Sequence, residues 1–401
     1  MDYTNEKFMF KIRKVGRYIK LYGLNRTILK VKGQLHMKKQ YDTLHENKFR
    51  TTAKQKIAII GCGNYAFTTL AYYISKYHKG IIRACMDVDL NRAISLSATY
   101  KIPIATTDVN VILNDKDIEL VYISSNHSTH AEYAIRCLKS GKNVYIEKPH
   151  VVNYKQLDAL AETVKIEGLK VFLGFNRPTS RFGSLIKKNI DLEEGPGMFN
   201  WFVAGHKIEA GNWYFKPEEG GRVLGNLCHW TDFLYRVVYN NSSIIQINPT
   251  RHEKSDSDII VTLKDEIGNL SVITFSAKGH TFEGVKEIFT AHKGNCLIHM
   301  KDFKELIIER NEKKMNYKNV YRDHGHKRNI RNALDNVLLN LPYNKEDTLS
   351  AIYQTGLLFL KIKESLENKT TISVCLKNSI DMCEDNDKDK AILCTRTVKA
   401  R

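Results

Sequence analysis

The chain has 401 residues, enough for two domains with cores of their own. Its formal charge of +18 at pH 7 suits acidic small molecules, an anionic membrane surface or nucleic acid. No apolar run approaches the roughly 20 residues of a membrane span, and charges interrupt every early apolar stretch, so we expect neither a span nor a signal peptide. These features predict a cytoplasmic protein.

Residues 1–54 form a basic N-terminal extension. Its apolar positions fit one broad helix face, with Lys and Arg between them: Phe8, Phe10, Ile12, Val15, Ile19 and Tyr22. The pattern indicates either a helix on an anionic membrane surface or an arm packed on the body or on a partner subunit. We favour the arm, and we expect turnover to survive deletion of residues 1–50.

Residues 55–178 alternate between strand and helix patterns. Strands are predicted at 56–60, 81–86, 118–124, 142–146 and 170–175, with helices at 64–79, 90–100, 128–139 and 154–167. This alternation is typical of a doubly wound parallel sheet, and therefore of a Rossmann domain.

Residues 179–375 show consecutive strand patterns, near 197–205, 244–249, 257–264, 269–277, 285–291 and 295–300. Helices are predicted near 222–238, 326–340 and 346–367. Consecutive strands with few crossover helices favour an antiparallel sheet in a separate α+β domain, whose last helices pack back toward the Rossmann domain. A polar tail follows at 376–401.

A glycine fingerprint lies between the first strand and the first helix of the Rossmann pattern. Gly61 permits the tight turn, Gly63 allows a pyrophosphate to approach the backbone, and Ala66 allows close packing of helix and strand. Asn64 and Tyr65 open the helix, whose N-terminus favours an anion.

Asp87 follows the second strand, where a carboxylate accepts hydrogen bonds from the adenosine ribose. A carboxylate there would repel a 2′-phosphate. The sequence therefore predicts NAD as cofactor, with NADP less favoured.

Glu147-Lys148-Pro149 follows the strand predicted at 142–146, at the sheet edge where such folds bind ligands. A lysine there can exchange a proton with a substrate hydroxyl while hydride moves to nicotinamide. Lys148 is therefore the candidate catalytic residue. The alternative is a surface Glu-Lys pair in a loop.

Together these motifs resemble the Gfo/Idh/MocA oxidoreductases, which include glucose–fructose oxidoreductase and inositol dehydrogenase. The resemblance spans roughly residues 56–370. Its marks are the Gly61–Ala66 fingerprint, Asp87, Ser125-Asn126-His127-Ser128-Thr129-His130-Ala131, Glu147-Lys148-Pro149, Gly174-Phe175-Asn176-Arg177, and Gly220-Gly221 running to His229 and Asp232.

The resemblance implies a second domain with an open, mainly antiparallel sheet, often used for homo-oligomer contacts. It implies redox chemistry at a hydroxyl-bearing carbon of a sugar, inositol or nucleotide sugar. It gives Lys148 and His229 catalytic roles. Further expected cofactor contacts are Ser125, His127, His130, Glu147 and Lys148, and expected substrate contacts are Asn176, Arg177, Asn226 and Asp232.

The segment before His229 departs from the family pattern. Many members carry an Asp four residues earlier, where this chain has Gly225 beside Asn226. An amide cannot act as a base at neutral pH, so more of the proton transfer falls on Lys148 and His229. The local pattern resembles a branch associated with surface-polysaccharide and amino-sugar metabolism.

Two alternatives to a net dehydrogenase stay open. One is a non-catalytic NAD-binding sensor or scaffold, and the other uses transient oxidation to drive elimination or glycoside cleavage. Nucleic-acid binding lacks any recognition motif. The eight cysteines show neither C-x-x-C nor zinc-site spacing, so we expect free thiols and no metal.

Overall fold

The computed structural model describes residues 6–41, 49–209, 211–251, 257–278 and 282–376. The helices are α1 (Phe8–Tyr22), α2 (Leu24–His36), α3 (Ala71–Tyr77), α4 (Leu90–Tyr100), α5 (Asn110–Leu113), α6 (His130–Lys139), α7 (Tyr154–Glu167), α8 (Arg181–Ile190), α9 (Cys228–Leu234), α10 (His326–Leu338) and α11 (Lys345–Asn368). The strands are β1 (Ile57–Ile60), β2 (Ile82–Met86), β3 (Ile104–Thr106), β4 (Leu120–Ile123), β5 (Asn143–Ile146), β6 (Val171–Leu173), β7 (Gly197–Ala204), β8 (Ile244–Arg251), β9 (Asp258–Asp265), β10 (Leu270–Ser276), β11 (Lys286–Lys293), β12 (Cys296–Lys301), β13 (Glu305–Arg310), β14 (Lys313–Lys318) and β15 (Ile372–Cys375).

The chain divides into two compact units. The first contains the described residues of 1–181, 210–220 and 320–349, and the second those of 182–209, 221–319 and 350–401. Helix α10 thus belongs to the first unit, although it follows the long run of strands. The domain boundaries drawn from the sequence stay predictions, and apart from Leu376 the predicted tail lies outside the described residues.

The first unit contains a six-stranded sheet in the order β3-β2-β1-β4-β5-β6, with every neighbouring pair parallel. All residues of β1 and β4 are buried, as expected of central strands covered by helices on both faces. The predicted Rossmann sheet is confirmed. The short β3 and α5 were not predicted, because three or four residues give too little pattern.

Local capping explains why two helices begin where the sequence predicts. The Asp89 side chain accepts a hydrogen bond from the Asn91 N–H at the start of α4. Asn153 accepts in the same way from Gln156 at the start of α7, and Gly168, with φ 68°, ends that helix. The fingerprint helix instead begins with a π-helical turn over Ala66–Leu70 that continues into α3.

The N-terminal extension forms α1 and α2 and packs on the first unit through α2. The α2 residues Thr27, Leu29, Gly33 and His36 are buried. A Cβ at Gly33 would lie 2.4 Å from Thr68 Cγ2, so only a residue without a side chain permits this close approach. The favoured interpretation, an arm on the body, matches this packing. No helix in the described ranges is long and apolar enough to cross a membrane.

The second unit is built on a nine-stranded sheet in the order β14-β13-β12-β11-β7-β10-β9-β8-β15. Only the β7–β10 pair is parallel. The predicted open, mainly antiparallel sheet is confirmed. Helix α8 and strands β13, β14 and β15 were not predicted. Four of the six residues of β14 are exposed, and this strand lacks the apolar alternation of a half-buried strand.

Aromatic packing fills the core of the second unit. The Trp201 ring on β7 lies 5.0 Å from the Phe233 ring on α9 and 4.9 Å from the Phe289 ring on β11. All the cysteines in the described part of the chain are free thiols, and all but Cys375 are buried. Cys383 and Cys394 lie outside it.

Candidate cofactor and catalytic site

The cofactor and catalytic candidates of the first unit follow the carboxyl ends of neighbouring parallel strands. Gly61 follows β1, Asp87 follows β2, Ser125 follows β4, Lys148 follows β5 and Asn176 follows β6. Because these five strands are adjacent in the sheet, their carboxyl ends share one edge. The topology therefore gathers candidates that are 115 positions apart in sequence at the ligand-binding edge.

The two fingerprint glycines differ in what surrounds them. Gly61 has φ 86°, and a Cβ there would lie 2.5 Å from the Ser124 carbonyl carbon. A Cβ at Gly63 would meet nothing within 4 Å. Gly61 is therefore required by the turn itself, whereas Gly63 leaves space above the backbone. This space beside a helix start is the cradle that a pyrophosphate needs, so the residues fit a dinucleotide.

The Asp87 carboxylate holds the fingerprint turn from the next strand. Its Oδ2 accepts from the Cys62 N–H at 2.7 Å, and its Oδ1 accepts from the Asp89 N–H at 2.9 Å. Each carboxylate oxygen can accept a further hydrogen bond, so the predicted ribose contact stays available. The sequence pattern predicted the ribose contact but not this support of the turn.

His36 of the extension contacts the same turn. Its Nε2 lies 2.7 Å from the Cys62 carbonyl oxygen and its Nδ1 lies 2.8 Å from the Ser95 hydroxyl. A carbonyl only accepts, so Nε2 carries the proton and Nδ1 accepts from Ser95. Burial lowers the pKa of His36 and keeps the ring neutral. The extension therefore supports the cofactor turn, which the sequence did not indicate.

Glu147 is buried below the sheet edge beside a tyrosine pair. The Tyr145 hydroxyl donates to Glu147 Oε1 at 3.2 Å. Burial raises the pKa of Glu147. Burial also raises the pKa of Tyr65 well above its ordinary value, and the Glu147 charge adds to that increase. The Tyr65 hydroxyl lies 3.2 Å from His326 Nδ1. Tyr65 and Glu147, both predicted cofactor contacts, thus belong to an interior polar network that extends to His326 on α10.

Lys148 is half-buried at the end of β5, close to two histidines. Burial lowers the pKa of His127 well below its ordinary value, and the Lys148 charge lowers it further. Burial also lowers the pKa of His130 to about 4, with a smaller contribution from Lys148. Both imidazoles are therefore neutral at pH 7.

His127 is enclosed by the segment 211–220. Its Nδ1 donates to the Glu219 carbonyl at 3.0 Å, and the Trp213 and Tyr214 rings lie 5.0 Å from its own ring. The Glu219 carboxylate accepts from the Ser128 hydroxyl at 2.9 Å and from its N–H at 3.2 Å. Sequence reasoning missed Glu219, because about 90 residues separate it from these partners.

His130 connects the loops after β4 and β5. Its Nδ1 lies 2.8 Å from the Pro149 carbonyl oxygen, and its Nε2 lies 3.0 Å from the Ser125 carbonyl oxygen. Both ring nitrogens face backbone carbonyls, and the neutral ring can donate to one of them. His130 thus has the contacts of a residue that positions the Lys148-Pro149 segment, and the cofactor contact expected from the resemblance stays a prediction.

His130 should make the protein sensitive to acid. Its pKa is about 4 in the fold against about 6.5 unfolded, so the unfolded chain binds more protons between these values. Stability should therefore be constant above about pH 6.5 and fall as the pH drops toward 4, by up to roughly 3 kcal/mol from this group. Urea unfolding across this range measures the slope, and His130→Gln should reduce it. An unchanged slope in that variant would show that His130 is not responsible.

The two expected substrate contacts after β6 are buried. Asn176 is fully enclosed, and its Nδ2 donates to the His324 carbonyl oxygen at 2.6 Å. Arg177 is 7 % exposed, and its charge contributes to the lowered pKa of His326, after burial and His324. The Asn176 amide nitrogen thus fastens the segment before α10. Substrate contact by either residue stays a prediction.

Three expected site residues lie in the second unit. His229 lies on α9, one turn before Asp232. The fully buried Asp232 accepts from Arg236 Nε at 2.8 Å, which gives it a structural ion pair. Asn226 accepts from Arg222 at 3.2 Å. Since Lys148 and His229 belong to different units, their convergence stays a prediction.

No group of three or more His, Cys, Asp or Glu side chains suited to a metal ion occurs in the ranges that the structure describes.

Comparison with known proteins agrees with this arrangement. The family model described as "Oxidoreductase family, NAD-binding Rossmann fold", of the Gfo/Idh/MocA oxidoreductases, matches residues 55–175. Residues 55–175 are thus similar to the Rossmann domain of this family. The match includes β1 to β6, the fingerprint turn, Asp87 and the Glu147-Lys148-Pro149 segment.

Two curated relatives match parts of the chain. Oxidoreductase P35 from Formosa agariphila is 33% identical over 119 residues, which are 30% of this chain and 37% of that protein. Myo-inositol 2-dehydrogenase from Thermotoga maritima is 28% identical over 136 residues, which are 34% of this chain and 40% of that protein. The chain thus spans about two fifths of the length of these relatives.

A solved structure extends the similarity to the rest of the fold. Levoglucosan dehydrogenase, in complex with NADH and levoglucosan, superposes with a TM-score of 0.68. The alignment covers 80% of this chain and 99% of that one, at 17% sequence identity. At this identity the comparison shows a shared fold.

Proposed function

We propose that the protein is an NAD-dependent oxidoreductase that transfers hydride between nicotinamide and a hydroxyl-bearing carbon of a sugar or nucleotide sugar. The observation that carries the proposal is the position of Lys148 at the carboxyl end of β5, on the same sheet edge as the Gly61 turn. The named relatives and the levoglucosan complex support a polyol or sugar substrate. A role in surface-polysaccharide or amino-sugar metabolism is part of the proposal.

The chain's own residues supply proton transfer and positioning. A bound nicotinamide would supply the hydride acceptor or donor. Lys148 would exchange the proton of the substrate hydroxyl, and His130 would hold the Lys148-Pro149 backbone through the Pro149 carbonyl. His229 would position the hydroxyl or assist the proton transfer. The Asp87 carboxylate would select NAD by repelling a 2′-phosphate.

A substrate screen tests this function. The purified chain is mixed with NAD⁺ and a panel of free sugars, inositols and nucleotide sugars, and nicotinamide absorbance is followed. We expect reduction of NAD⁺ with at least one member of the panel, lost in Lys148→Met. Turnover that persists in Lys148→Met would remove the lysine from the chemistry. Product formed without net NADH would favour redox-assisted elimination or glycoside cleavage at the same site.

The contacts of α2 predict that the extension contributes to NAD binding, in addition to the expectation that turnover survives deletion of residues 1–50. Replacing His36 by Ala removes hydrogen bonds to Cys62 and Ser95, each worth about 1 kcal/mol and more where a buried partner stays unsatisfied. We expect a lower melting temperature and a several-fold weaker NAD affinity. Calorimetry with NAD measures both, and Lys32→Ala on the exposed side of α2 serves as control. Equal NAD affinity in the two variants would show that the extension does not support the turn.

The outer face of the large sheet is proposed to form homo-oligomer contacts. Strand alternation places apolar side chains on this face, and several are about half exposed: Met198, Phe202, Ile260, Leu270 and Leu297. An apolar face of this kind is typical of a protein interface. Sedimentation of the wild-type chain and of Phe202→Lys tests this contact.

Peripheral contact with an anionic membrane is a further proposal for the extension. Residues 7–41 contain eleven Lys or Arg and no Asp or Glu. On α2, Leu24, Ile28, Val31 and Leu35 recur at helical spacing and are 46–58 % exposed. Basic helices with an exposed apolar stripe bind anionic lipid surfaces.

A further inference from the structure

A cavity of about 490 Å³ lies within the first unit, where the extension meets the rest of that unit. Three stretches line it: the turn between α1 and α2, helix α3, and the segment leading into α10. None of the residues expected to bind cofactor or substrate lines this cavity. The cavity is therefore lined by residues other than those of the candidate cofactor site, and its lining residue His326 contacts Tyr65 of that site.

The cavity lining is strongly cationic. Arg26, Lys76, Arg322 and Lys327 all contribute to it, and Asp323 is the one carboxylate among the lining residues. The Asp323 Oδ1 accepts the Gly325 N–H at 2.9 Å, so part of its hydrogen-bonding capacity is used by the backbone. A surplus of cations in a concave site attracts an anion.

Tyrosine rings hold two of these cations in place. The Arg26 guanidinium lies 5.0 Å from the Tyr72 ring centre and 4.9 Å from that of Tyr73. The Arg322 guanidinium lies 5.8 Å from the Tyr22 ring centre, and its NH1 donates to the Tyr22 hydroxyl at 3.3 Å. Guanidinium groups fixed on aromatic faces lose little entropy when they bind a ligand.

Backbone contacts build the wall between the extension and the segment before α10. The Arg322 N–H donates to the Leu21 carbonyl oxygen at 2.8 Å. Gly23 has φ 82°, and a Cβ there would lie 3.1 Å from the Tyr321 ring. The turn between α1 and α2 thus packs closely against the Tyr321 ring. Close packing and a backbone hydrogen bond together fix this wall of the cavity.

The surroundings of the cavity carry an excess of positive charge. Burial and, to a lesser extent, the Arg26 charge lower the pKa of Lys30 to about 8. Burial also lowers the pKa of the lining residue His326, and His324, Arg177, Arg26 and Lys30 add to that shift. An anion bound in the cavity would reduce the repulsion among these cationic groups.

We propose that this cavity binds a small organic phosphate, in which a phosphate or diphosphate is attached to a sugar or another ring. The arginines and lysines match phosphate oxygens, and the tyrosine faces match a ring. The volume is in the range of small-molecule sites. The phosphate could belong to a soluble metabolite or to a lipid headgroup, because Leu24 lines the cavity and is 58 % exposed.

Calorimetric titration of the full chain, with NAD in excess, tests the proposal. The probes are inorganic pyrophosphate and phenyl phosphate, neither of which is a sugar, with phenol as the neutral control. We expect both anions to bind and phenol not to bind. The double variant Lys76→Gln/Lys327→Gln should weaken anion binding by about tenfold or more, since it removes two charged contacts. The double variant Lys116→Gln/Lys139→Gln removes the same charge from exposed positions outside the cavity and should leave affinity unchanged within about twofold.

A second arm identifies the source of the phosphate. Vesicles containing phosphatidylglycerol replace the soluble probes, and phosphatidylcholine vesicles serve as control. Binding to the anionic vesicles alone, weakened by the Lys76/Lys327 variant and not by the Lys116/Lys139 variant, would assign the cavity to a lipid phosphate. The proposal is overturned if neither anion source binds, or if both double variants weaken binding equally. Circular dichroism confirms that the variants are folded, and no outcome depends on turnover.

Discussion

Replacing Lys148 by Met is expected to lower kcat by about 10²–10⁴-fold, the range usual for loss of a general acid or base. Methionine keeps much of the side-chain length and removes the exchangeable proton. Because the fingerprint turn lies on other strands, NAD affinity should change by less than about threefold. Steady-state kinetics and NAD titration measure the two effects separately.

The matched control for this variant is Lys155→Met. Lys155 is an exposed lysine in the first turn of α7, outside the site. It should keep both turnover and NAD affinity. A Lys148→Met enzyme with near wild-type kcat would contradict the assigned role. A parallel loss of NAD binding would mean that Lys148 serves chiefly to hold the cofactor.

Replacing Asp87 by Ala is expected to weaken NAD binding by about tenfold to a hundredfold. The carboxylate supports the turn through the Cys62 N–H. We expect it also to accept hydrogen bonds from the ribose hydroxyls of NAD. Each charge-assisted hydrogen bond is worth about 1.5–3 kcal/mol. The loss for NADP should be smaller, because the variant also removes the repulsion of the 2′-phosphate. The affinity for NADP relative to NAD should therefore rise.

The NADP-to-NAD ratio separates the two roles of Asp87. If the carboxylate only supports the turn, both cofactors lose the same factor and the ratio is unchanged. Asp108→Ala, at an exposed aspartate before α5, should alter neither affinity. An Asp87→Ala protein with unchanged NAD affinity would remove the ribose assignment.

The sequence predicted the elements whose signals are local. Helices α4 and α7 begin and end where predicted, because Asp89 and Asn153 cap their first turns and the apolar periodicity continues to their ends. The order of the motifs along the chain also indicated that the candidate site residues lie at the carboxyl edge of the parallel sheet. Gly61 and Lys148 each follow a buried β-branched strand, and parallel topology then places them on one edge.

The contacts made by distant residues could not be predicted from the sequence. His36 reaches Cys62 across 26 positions, and Glu219 reaches Ser128 across 91. Neither His36 nor Glu219 belongs to a motif, and only the packing of the folded chain shows what they touch. The same applies to His130, because no motif shows that its ring nitrogens lie beside the Pro149 and Ser125 carbonyl oxygens.

In the second unit, the alternation of apolar and polar residues predicted half-buried strands but not exposed ones. Strand β12 alternates strictly between buried and exposed residues and was predicted, whereas β14 buries none of its residues and was not. Edge strands need little apolar alternation, because one of their sides and often both faces meet water.

A crystal structure with NADH tests the central claim most directly, through the distance between Lys148 Nζ and nicotinamide C4. We predict that the two atoms face each other with room for one carbinol group, which places Nζ about 3 Å from the hydroxyl oxygen and C4 about 3.5 Å from its carbon. An ammonium directed into bulk solvent, or a nicotinamide bound away from the end of β5, would contradict the assignment.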